Sequence, residues 1–297
     1  MRMILSAGLA ALLASAALAD VTVETAQGDV SLPAAPAKVA ALDLGVIDTM
    51  MALGVMPVAV PDKLYLDHLQ PVAQDAAPVG TLQEPDLEKL AAVGPDLIVV
   101  ANRSAVKKDA VAQVAPAIDM TVDGARLITD AKARLAALAA LFGKEAEGEA
   151  LTNVLDDKLA ALAEAGRDKG GALVVLTNGP KMSAYGKGSR FGWIYEVTGL
   201  PQAGQPLDDK ANHGDAISHE FIAQTNPDWL FVLDRGVAIG ADQPSAQATL
   251  DNELVRQTNA WKNGHVVYLP ADNVYLAPGG YTALTETLDA LAAALAG

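Results

Sequence analysis

PDLIVVANR (residues 95–103) and PDWLFVLDR (residues 227–235) stand 132 positions apart and follow one pattern of Pro-Asp, a short apolar run and a closing Arg. The match extends upstream without gaps, so that Glu88 aligns with Glu220 and Arg103 with Arg235. Each copy predicts a helix that begins near the Glu, a turn at Pro-Asp, and a buried strand with Arg at its carboxyl end. A chance match of a common helix–turn–strand unit is the alternative. The coincidence of Glu and Arg at one register favours an internal repeat, and therefore two similar lobes.

The rest of the chain alternates short apolar runs with helical patterns. The runs are rich in Val, Leu and Ile and predict buried parallel strands at 38–44, 96–101, 172–178, 228–234 and 265–270. Residues 130–165 are dense in Ala, Leu, Glu and Lys without proline, which predicts one long helix with a bend near Gly143 or Gly148. We therefore expect an α/β protein of two lobes with largely parallel sheets, at 20–128 and 168–297, joined by a single long helix within 129–167.

The amino terminus and the composition favour export from the cytoplasm. Residues 1–19, MRMILSAGLAALLASAALA, have the layout of a cleavable signal peptide. A membrane anchor is the alternative, but the apolar run is short for a span. The chain has no Cys for disulfides, thiolate metal sites or a lipid anchor, so we expect a protein of the periplasm without a membrane anchor. Its formal net charge of −15 argues against a nucleic-acid partner.

Arginines are the first candidates for a binding site. In open α/β sheets, ligands bind beyond the carboxyl ends of the strands, where Arg103 and Arg235 are predicted to lie. An ion pair between Arg235 and the adjacent Asp234 is the structural alternative for that residue. The loop AYGKGSRFGW adds Arg190, with Ser189 as a candidate cap for the helix that follows. Guanidinium groups facing each other across a cleft would suit an anionic ligand.

His213 and Tyr275 are candidate metal ligands on loops, although a solvated His and a packed Tyr are the ordinary alternatives. Catalytic motifs are missing from the sequence. It has no nucleophile elbow and no phosphate-binding Walker loop, and His219-Glu220 fails as a zinc-protease motif because Ala223 takes the place of the second His. The sequence therefore favours a binding protein over an enzyme.

These residues resemble those of periplasmic binding proteins that serve ABC importers of iron–siderophore complexes, particularly catecholate siderophores. The resemblance spans nearly the whole chain after residue 19. It is carried by DLGVIDTMMALGV, VGTLQEPDLEKLAAVGPDLIVV, SAYGKGSRFGWIYEVTG, HGDAISHEFIAQTNPDWLFVLDR and NVYLAPGGYTALTETLDAL. It implies two lobes rigidly joined by one helix, with the ligand in a shallow cleft between them and no intrinsic cofactor.

The resemblance also implies a role for each candidate residue. Arg103, Arg190 and Arg235 would face an anionic ferric complex, and Tyr185 would line the cleft. His213 and Tyr275 would complete the coordination of iron when the siderophore supplies only four donors. Glu88 and Glu220 would dock onto an inner-membrane ABC permease, and the protein would act as a monomer. Haem, cobalamin or another iron chelate remains an alternative cargo, and a secreted α/β enzyme is the alternative of another class.

Overall fold

The computed structural model describes residues 21–33, 35–208 and 213–297. The predicted signal peptide at 1–19 lies outside the described residues. A hairpin of β1 (Val21–Thr25) and β2 (Gly28–Leu32) comes first. Among the described residues, no helix combines the length and the apolar character needed to cross a membrane.

The amino-terminal lobe is built on a parallel sheet. Its strands are β3 (Val39–Ala41), β4 (Ala59–Val60), β5 (Ala77–Pro78), β6 (Leu97–Val100) and β7 (Ala117–Asp119), in the spatial order β5-β4-β3-β6-β7. Every residue of β6 is buried, as expected for a central parallel strand covered on both faces. The helices of this lobe are α1 (Leu44–Ala52), α2 (Leu87–Val93) and α3 (Lys108–Val111).

The carboxy-terminal lobe has a mixed sheet of five strands. They are β8 (Ala172–Asn178), β9 (Lys181–Tyr185), β10 (Asp215–Ile217), β11 (Trp229–Asp234) and β12 (Val266–Tyr268), in the order β10-β9-β8-β11-β12. Strands β8, β11 and β12 are parallel, whereas β9 runs antiparallel to both of its neighbours.

Two helices, α4 (Leu127–Phe142) and α5 (Glu145–Ala165), lie between the two sheets in sequence. The remaining helices belong to the second half of the chain: α6 (Trp193–Thr198), α7 (His219–Thr225), α8 (Arg235–Ile239), α9 (Ala246–Leu250), α10 (Asn259–Lys262), α11 (Ala271–Leu276) and α12 (Tyr281–Ala296). The predicted strands at 38–44, 96–101, 172–178, 228–234 and 265–270 are all present, and the expected α/β architecture of two lobes with largely parallel sheets is confirmed.

The segment between the lobes differs from one continuous helix. Gly143 adopts the left-handed conformation (φ 62°) and ends α4, and the chain starts again as α5. Gly148, the other position where a bend was expected, lies inside α5, where a Cβ atom would come within 2.6 Å of the Ala139 Cβ. Its small size allows α4 and α5 to approach closely. The segment between the two sheets is therefore two helices, of which α5 is the longer at about 30 Å, given the usual rise per residue.

The internal repeat is visible as two equivalent hydrogen-bonding units. The Asp96 carboxylate accepts the backbone N–H groups of Ala37 and Lys38, just before β3, at 2.9 Å each. In the other lobe, the Asp228 carboxylate accepts the N–H of Gly171, just before β8, at 2.9 Å. The Pro-Asp turn therefore ties each central strand to the start of its neighbour. This shared tie gives the Asp of both copies the same structural role.

Candidate functional site

The carboxyl ends of the two sheets face a cleft that contains two adjoining cavities. The first has a volume of about 310 Å³ and is lined by residues of both lobes, among them Asn102, Arg103, Val122, Gly124, Arg190, Phe191, Trp193, Tyr275 and Pro278. The second has a volume of about 340 Å³ and is lined by Leu176, Asn178, Lys181, Ser183, Tyr185, Arg190, His213, Arg235 and Tyr275. Arg190 and Tyr275 line both cavities, so they form the partition between them.

Tyr275, on α11, lies at the centre of the three predicted arginines. The guanidinium carbons of Arg190, Arg103 and Arg235 lie 4.9, 5.1 and 5.7 Å from the centroid of its ring. Cations at such distances are attracted to the electron-rich face of an aromatic ring. The structure thus brings together residues that are distant in sequence and come from both lobes.

Arg235 is held by polar neighbours rather than by an ion pair. Its Nε donates to the Tyr275 hydroxyl at 3.0 Å, and its Nη1 donates to Asn178 Oδ1 at 3.1 Å. The adjacent Asp234 carboxylate instead accepts the backbone N–H of Val237, which caps α8, and the backbone N–H of Ala246 at the start of α9. The structural alternative, in which Arg235 pairs with Asp234, is therefore wrong.

Arg103 crosses from the first lobe to α11. Its Nη2 donates to the carbonyl oxygen of Tyr275 at 2.6 Å, and its Nη1 makes a longer contact of 3.4 Å with the carbonyl oxygen of Leu276. Both carbonyls belong to the last turn of α11, where backbone acceptors lack partners within the helix. Arg103 therefore binds the backbone of the residue whose hydroxyl Arg235 binds.

Arg190 lies on the turn after β9, with its guanidinium 4.5 Å from the ring of Phe191. It does not stand at a helix N-terminus as expected, because α6 begins only at Trp193 with Gly192 as its N-cap. Ser189 is not the cap either, since its hydroxyl donates to the carbonyl oxygen of Gly186 at 2.7 Å. The turn is instead pressed against the other lobe, where a Cβ on Gly124 would come within 2.5 Å of the Arg190 Cα.

The charges of these arginines are not balanced by carboxylates. Within residues 21–33, 35–208 and 213–297, no ion pair involves Arg103, Arg190 or Arg235. Burial lowers the pKa of Arg190, and the like charge of Arg103 lowers it further, while the two tyrosines oppose the shift. An arginine nevertheless stays protonated in proteins. The cleft is therefore a concentration of positive charge that a bound anion would neutralise.

The electrostatics of the two tyrosines differ. Burial tends to raise the pKa of Tyr275, but the hydrogen bond and charge of Arg235, together with the charges of Arg190 and Arg103, outweigh it and lower that pKa below its usual value. Burial raises the pKa of Tyr185, whose ring packs edge-on against Phe191 at 4.7 Å between centroids. The surroundings of Tyr275 thus favour its phenolate, whereas those of Tyr185 favour the neutral phenol.

His213 lies at the exposed side of the second cavity, which it lines together with Tyr275. Among the residues described, no group of three or more His, Cys, Asp or Glu side chains could hold a metal ion. An iron ion in this cleft would therefore take most of its donor atoms from the molecule that carries it. His213 and Tyr275 can supply at most the remaining positions.

Glu88 and Glu220 occupy equivalent, exposed places in the first turns of α2 and α7. Asp86 and Ser218 cap these helices, and the hydrogen bond from Ser218 lowers the pKa of Glu220. In each lobe the helix runs back along the sheet to a parallel strand, so its N-terminus lies at the edge where the strands end. The two glutamates are thus on the same side of the molecule as the cleft.

Several cleft residues were not predicted from the sequence. Among them are Asn102, Asn178, Lys181 and Phe191. Asn178 is the last residue of β8, so its place at the carboxyl end of a predicted strand is the signal that could have found it. Phe191 is a buried aromatic residue, and its position next to Arg190 in the sequence is the signal that could have found it.

The chain has two α/β lobes with a cationic cleft between them. This architecture is typical of solute-binding proteins. The chain belongs to the periplasmic binding protein family, which it matches over residues 39–273. It is 35% identical over 261 residues to the petrobactin-binding protein YclQ of Bacillus subtilis, covering 86% of this chain and 81% of YclQ. The crystal structure of YclQ superposes with a TM-score of 0.87 at 32% identity, over 94% of this chain and 99% of that one.

Two further relatives come from Vibrio. The ferric-anguibactin-binding protein FatB of Vibrio anguillarum is 31% identical over 265 residues, which is 86% of this chain and 81% of FatB. The periplasmic catecholate-siderophore binding protein VctP of Vibrio cholerae gives a TM-score of 0.87 at 28% identity, over 93% of this chain and all of the VctP chain. This chain is therefore similar to substrate-binding proteins rather than to enzymes.

Proposed function

We propose that this protein is a periplasmic receptor that captures a ferric catecholate siderophore and delivers it to an ABC importer of the inner membrane. The observation that carries the proposal is the set of three arginines around Tyr275, none of which has an acidic partner within the described residues. A ferric tris-catecholate has a net charge of about −3, so three guanidinium groups match it. Charge-assisted hydrogen bonds of guanidinium to oxygen anions are among the strong ones in proteins.

The same cleft offers two donors that suit ferric iron. In our proposal, the charges of Arg103, Arg190 and Arg235 hold a siderophore with six donors against the wall formed by Tyr185, and the protein supplies no donor to its iron. A siderophore with four donors leaves two positions on the iron, which Tyr275 and His213 fill. The lowered pKa of Tyr275 supports this role, because a phenolate, and not a phenol, is the ligand of a ferric ion.

The relatives support the choice of cargo. YclQ, FatB and VctP bind petrobactin, ferric anguibactin and a catecholate siderophore, according to their names. All of them match more than four fifths of this chain. We infer a ferric siderophore as the ligand here, without an intrinsic cofactor and without a catalysed reaction.

Glu88 and Glu220 supply the docking surface in this proposal. They are exposed, carry one negative charge each and lie on the cleft side of the two lobes. A permease with arginines on its outer surface would engage one glutamate from each lobe. The receptor then acts as a monomer, since the internal repeat already presents the same group twice.

The experiment is a titration panel on the chain from residue 20 onward, followed by quenching of Trp fluorescence, because Trp193 lines the first cavity. The panel contains a ferric tris-catecholate, a ferric bis-catecholate, a neutral ferric tris-hydroxamate, haem and cobalamin. We expect the two catecholates to bind in the range of about 1 μM or tighter, that is, with at least about 8 kcal/mol of binding free energy.

The triple variant R103A/R190A/R235A should lose this binding, while the control Arg167→Ala, an exposed arginine paired with Glu164, should keep it. Normal catecholate binding by the triple variant would refute the assignment of the cleft. Tight binding of haem or cobalamin, with no binding of either catecholate, would refute the assignment of the cargo.

A further inference from the structure

The connection between α11 and α12 belongs to both lobes. Leu276, Ala277 and Ala283 pack in the hydrophobic core of the first lobe, although they follow the last strand of the second. Val274 and Leu284, which flank them, pack in the core of the second lobe. The connection is therefore a junction at which the two lobes share one piece of chain, and Tyr275 lies at its start.

Charged side chains of the first half of the chain hold the backbone of this junction. Arg103 donates to the carbonyl oxygens of Tyr275 and Leu276. Arg134 of α4 donates to the carbonyl oxygen of Pro278 at 3.1 Å. The Asp48 carboxylate accepts the N–H groups of Thr282 and Ala283 at 3.2 and 2.8 Å.

Of these contacts, the one made by Arg103 bears on the ligand. Two of its nitrogens are already bound to carbonyls at the C-terminal end of α11, where a cation is favoured by the helix dipole. Its contact with Tyr275 is to the backbone and to the ring face, not to the hydroxyl. Arg235 makes the contact with the hydroxyl. The two arginines therefore act at opposite ends of one residue.

We propose that Arg103 is a positioning residue that acts on the ligand through Tyr275, by fixing the backbone of α11 so that the phenol points to the iron. This inference rests on the proposed function and assigns a different task to one of its three arginines. Arg190 and Arg235 meet the anionic oxygens directly, whereas Arg103 ties the iron-facing tyrosine to the first lobe. The consequence is that Arg103 matters most for ligands that need Tyr275.

The first test needs no ligand. Amide hydrogen exchange of the segment 274–279 is measured by mass spectrometry in the wild type, Arg103→Ala, Arg103→Lys and Lys181→Ala. Lys181 is the matched control, since it is an exposed cation that lines the second cavity from β9 and, within the described residues, makes no hydrogen bond to the backbone of 274–279, as Arg103 does. Loss of a hydrogen bond from a charged donor should accelerate exchange in this segment by about tenfold or more in Arg103→Ala. No change relative to Lys181→Ala would overturn the proposal.

The second test compares two ferric complexes. A bis-catecholate has a net charge of about −1 and leaves two positions for protein donors, whereas a tris-catecholate has about −3 and leaves none. If Arg103 acts as a charge alone, Arg103→Ala weakens the tris-catecholate more, as we expect for Lys181→Ala. If it positions Tyr275, Arg103→Ala weakens the bis-catecholate more, by about 30-fold or more.

Conservative replacement and spectroscopy separate the two roles further. Arg103→Lys keeps the charge but not the fork that reaches two carbonyls, so it should restore binding of the tris-catecholate and not of the bis-catecholate. If Arg103→Ala does not fold, Arg103→Lys takes its place in the binding and exchange measurements. In protein labelled with ring-deuterated tyrosine, resonance Raman bands of an iron-bound phenolate should be present in the wild-type bis-catecholate complex and weakened in Arg103→Lys.

A double-variant cycle completes the design. With Tyr275→Phe as background, the additional effect of Arg103→Ala on the bis-catecholate should shrink to that of Lys181→Ala. Full additivity, or rescue of both complexes by Arg103→Lys, would overturn the positioning role while leaving the proposed function intact. Failure of the wild type to bind either complex would overturn the proposed function, and the exchange measurement would still decide whether Arg103 fixes the junction.

Discussion

Arg190→Ala should separate ligand affinity from the stability of the ligand-free protein. In the empty cleft, this guanidinium makes contacts with the rings of Phe191 and Tyr275 at 4.5 and 4.9 Å, each worth about 0.5–1 kcal/mol. Two effects oppose this stabilisation. Arg190 is partly buried without an acidic partner, and Arg103 carries a like charge nearby, so both disfavour the charged guanidinium. These contributions oppose each other, so we expect a net change within about 1 kcal/mol, or a Tm shift of no more than about 2–4 °C.

The affinity should respond much more strongly. Truncation of one member of a desolvated, hydrogen-bonded charge pair costs about 2–5 kcal/mol. At about 1.4 kcal/mol per tenfold change, Arg190→Ala should weaken a trianionic ferric tris-catecholate by about 30-fold to several thousand-fold. A neutral ferric tris-hydroxamate would lose only ordinary hydrogen bonds, worth about 0.5–1.5 kcal/mol, so its affinity should fall by no more than about tenfold.

The assay combines Trp fluorescence titrations at low and high salt with thermal unfolding in the absence of ligand. Arg167→Ala is the control, because its exposed ion pair with Glu164 contributes at most about 1 kcal/mol. Equal losses for the neutral and the trianionic complexes would show that the charge of Arg190 is not what binds the ligand. A Tm lower by more than about 10 °C would show that Arg190 supports the fold instead.

Other predictions concern proton competition, docking and the junction. The pKa of Tyr275 is lowered in the fold, so its phenolate is lost as the pH falls through that lowered value. The affinity for the bis-catecholate should therefore rise with pH and level off below about 10, the usual pKa of a tyrosine. Arg235→Ala should move this plateau to higher pH, because the hydrogen bond and charge of Arg235 help to lower the pKa. Glu88→Ala and Glu220→Ala should leave siderophore affinity and Tm nearly unchanged, within about 1 kcal/mol, but reduce stimulation of the permease ATPase in liposomes. Asp48→Ala should lower the free energy of unfolding by about 1–3 kcal/mol, because a buried carboxylate that caps α12 is lost.

Each of these has a control and a contrary outcome. Tyr275→Phe should bind the bis-catecholate weakly at every pH, and a plateau that Arg235→Ala does not move would contradict the effect of Arg235 on the phenol. Glu84→Ala, another exposed acid of the first lobe, is the docking control, and an equal loss of ATPase stimulation there would mean that the glutamates have no specific role. Ser245→Ala removes the cap of the short α9, and an equal loss of stability would contradict the importance of the junction.

The repeated segment and the strand pattern allowed the architecture to be predicted from the sequence. Buried parallel strands are continuous apolar runs, and the alignment of Arg103 with Arg235 placed both at carboxyl ends of strands, where the structure has them. The sequence predicts a bend near Gly143, and the structure divides α4 from α5 there, with Gly143 in the left-handed conformation. This division depends on how the two helices pack and cannot be predicted from helix propensity.

The direction of each cleft side chain could not be predicted in the same way. Residues in loops have no periodicity that fixes where they point, so no pattern around Arg103 predicts that it binds the backbone carbonyls at positions 275 and 276 instead of solvent. The contacts of Asp48 with α12 likewise join residues more than 230 positions apart. Contacts of this range are a product of the assembled core and have no local signal.

The junction between α11 and α12 also limits how the cleft can respond to a ligand. A wide opening of the lobes would break the hydrogen bonds that Arg103, Arg134 and Asp48 make with its backbone, and bonds to charged groups contribute about 1.5–3 kcal/mol each. It would also withdraw Leu276 and Ala283 from the core of the first lobe. Adaptation to the ligand is therefore expected at the side chains that partition the cleft. The contact between Arg235 and the Tyr275 hydroxyl is the one that a ferric complex can replace without disturbing the junction, because both groups point into the cavity that the complex would fill.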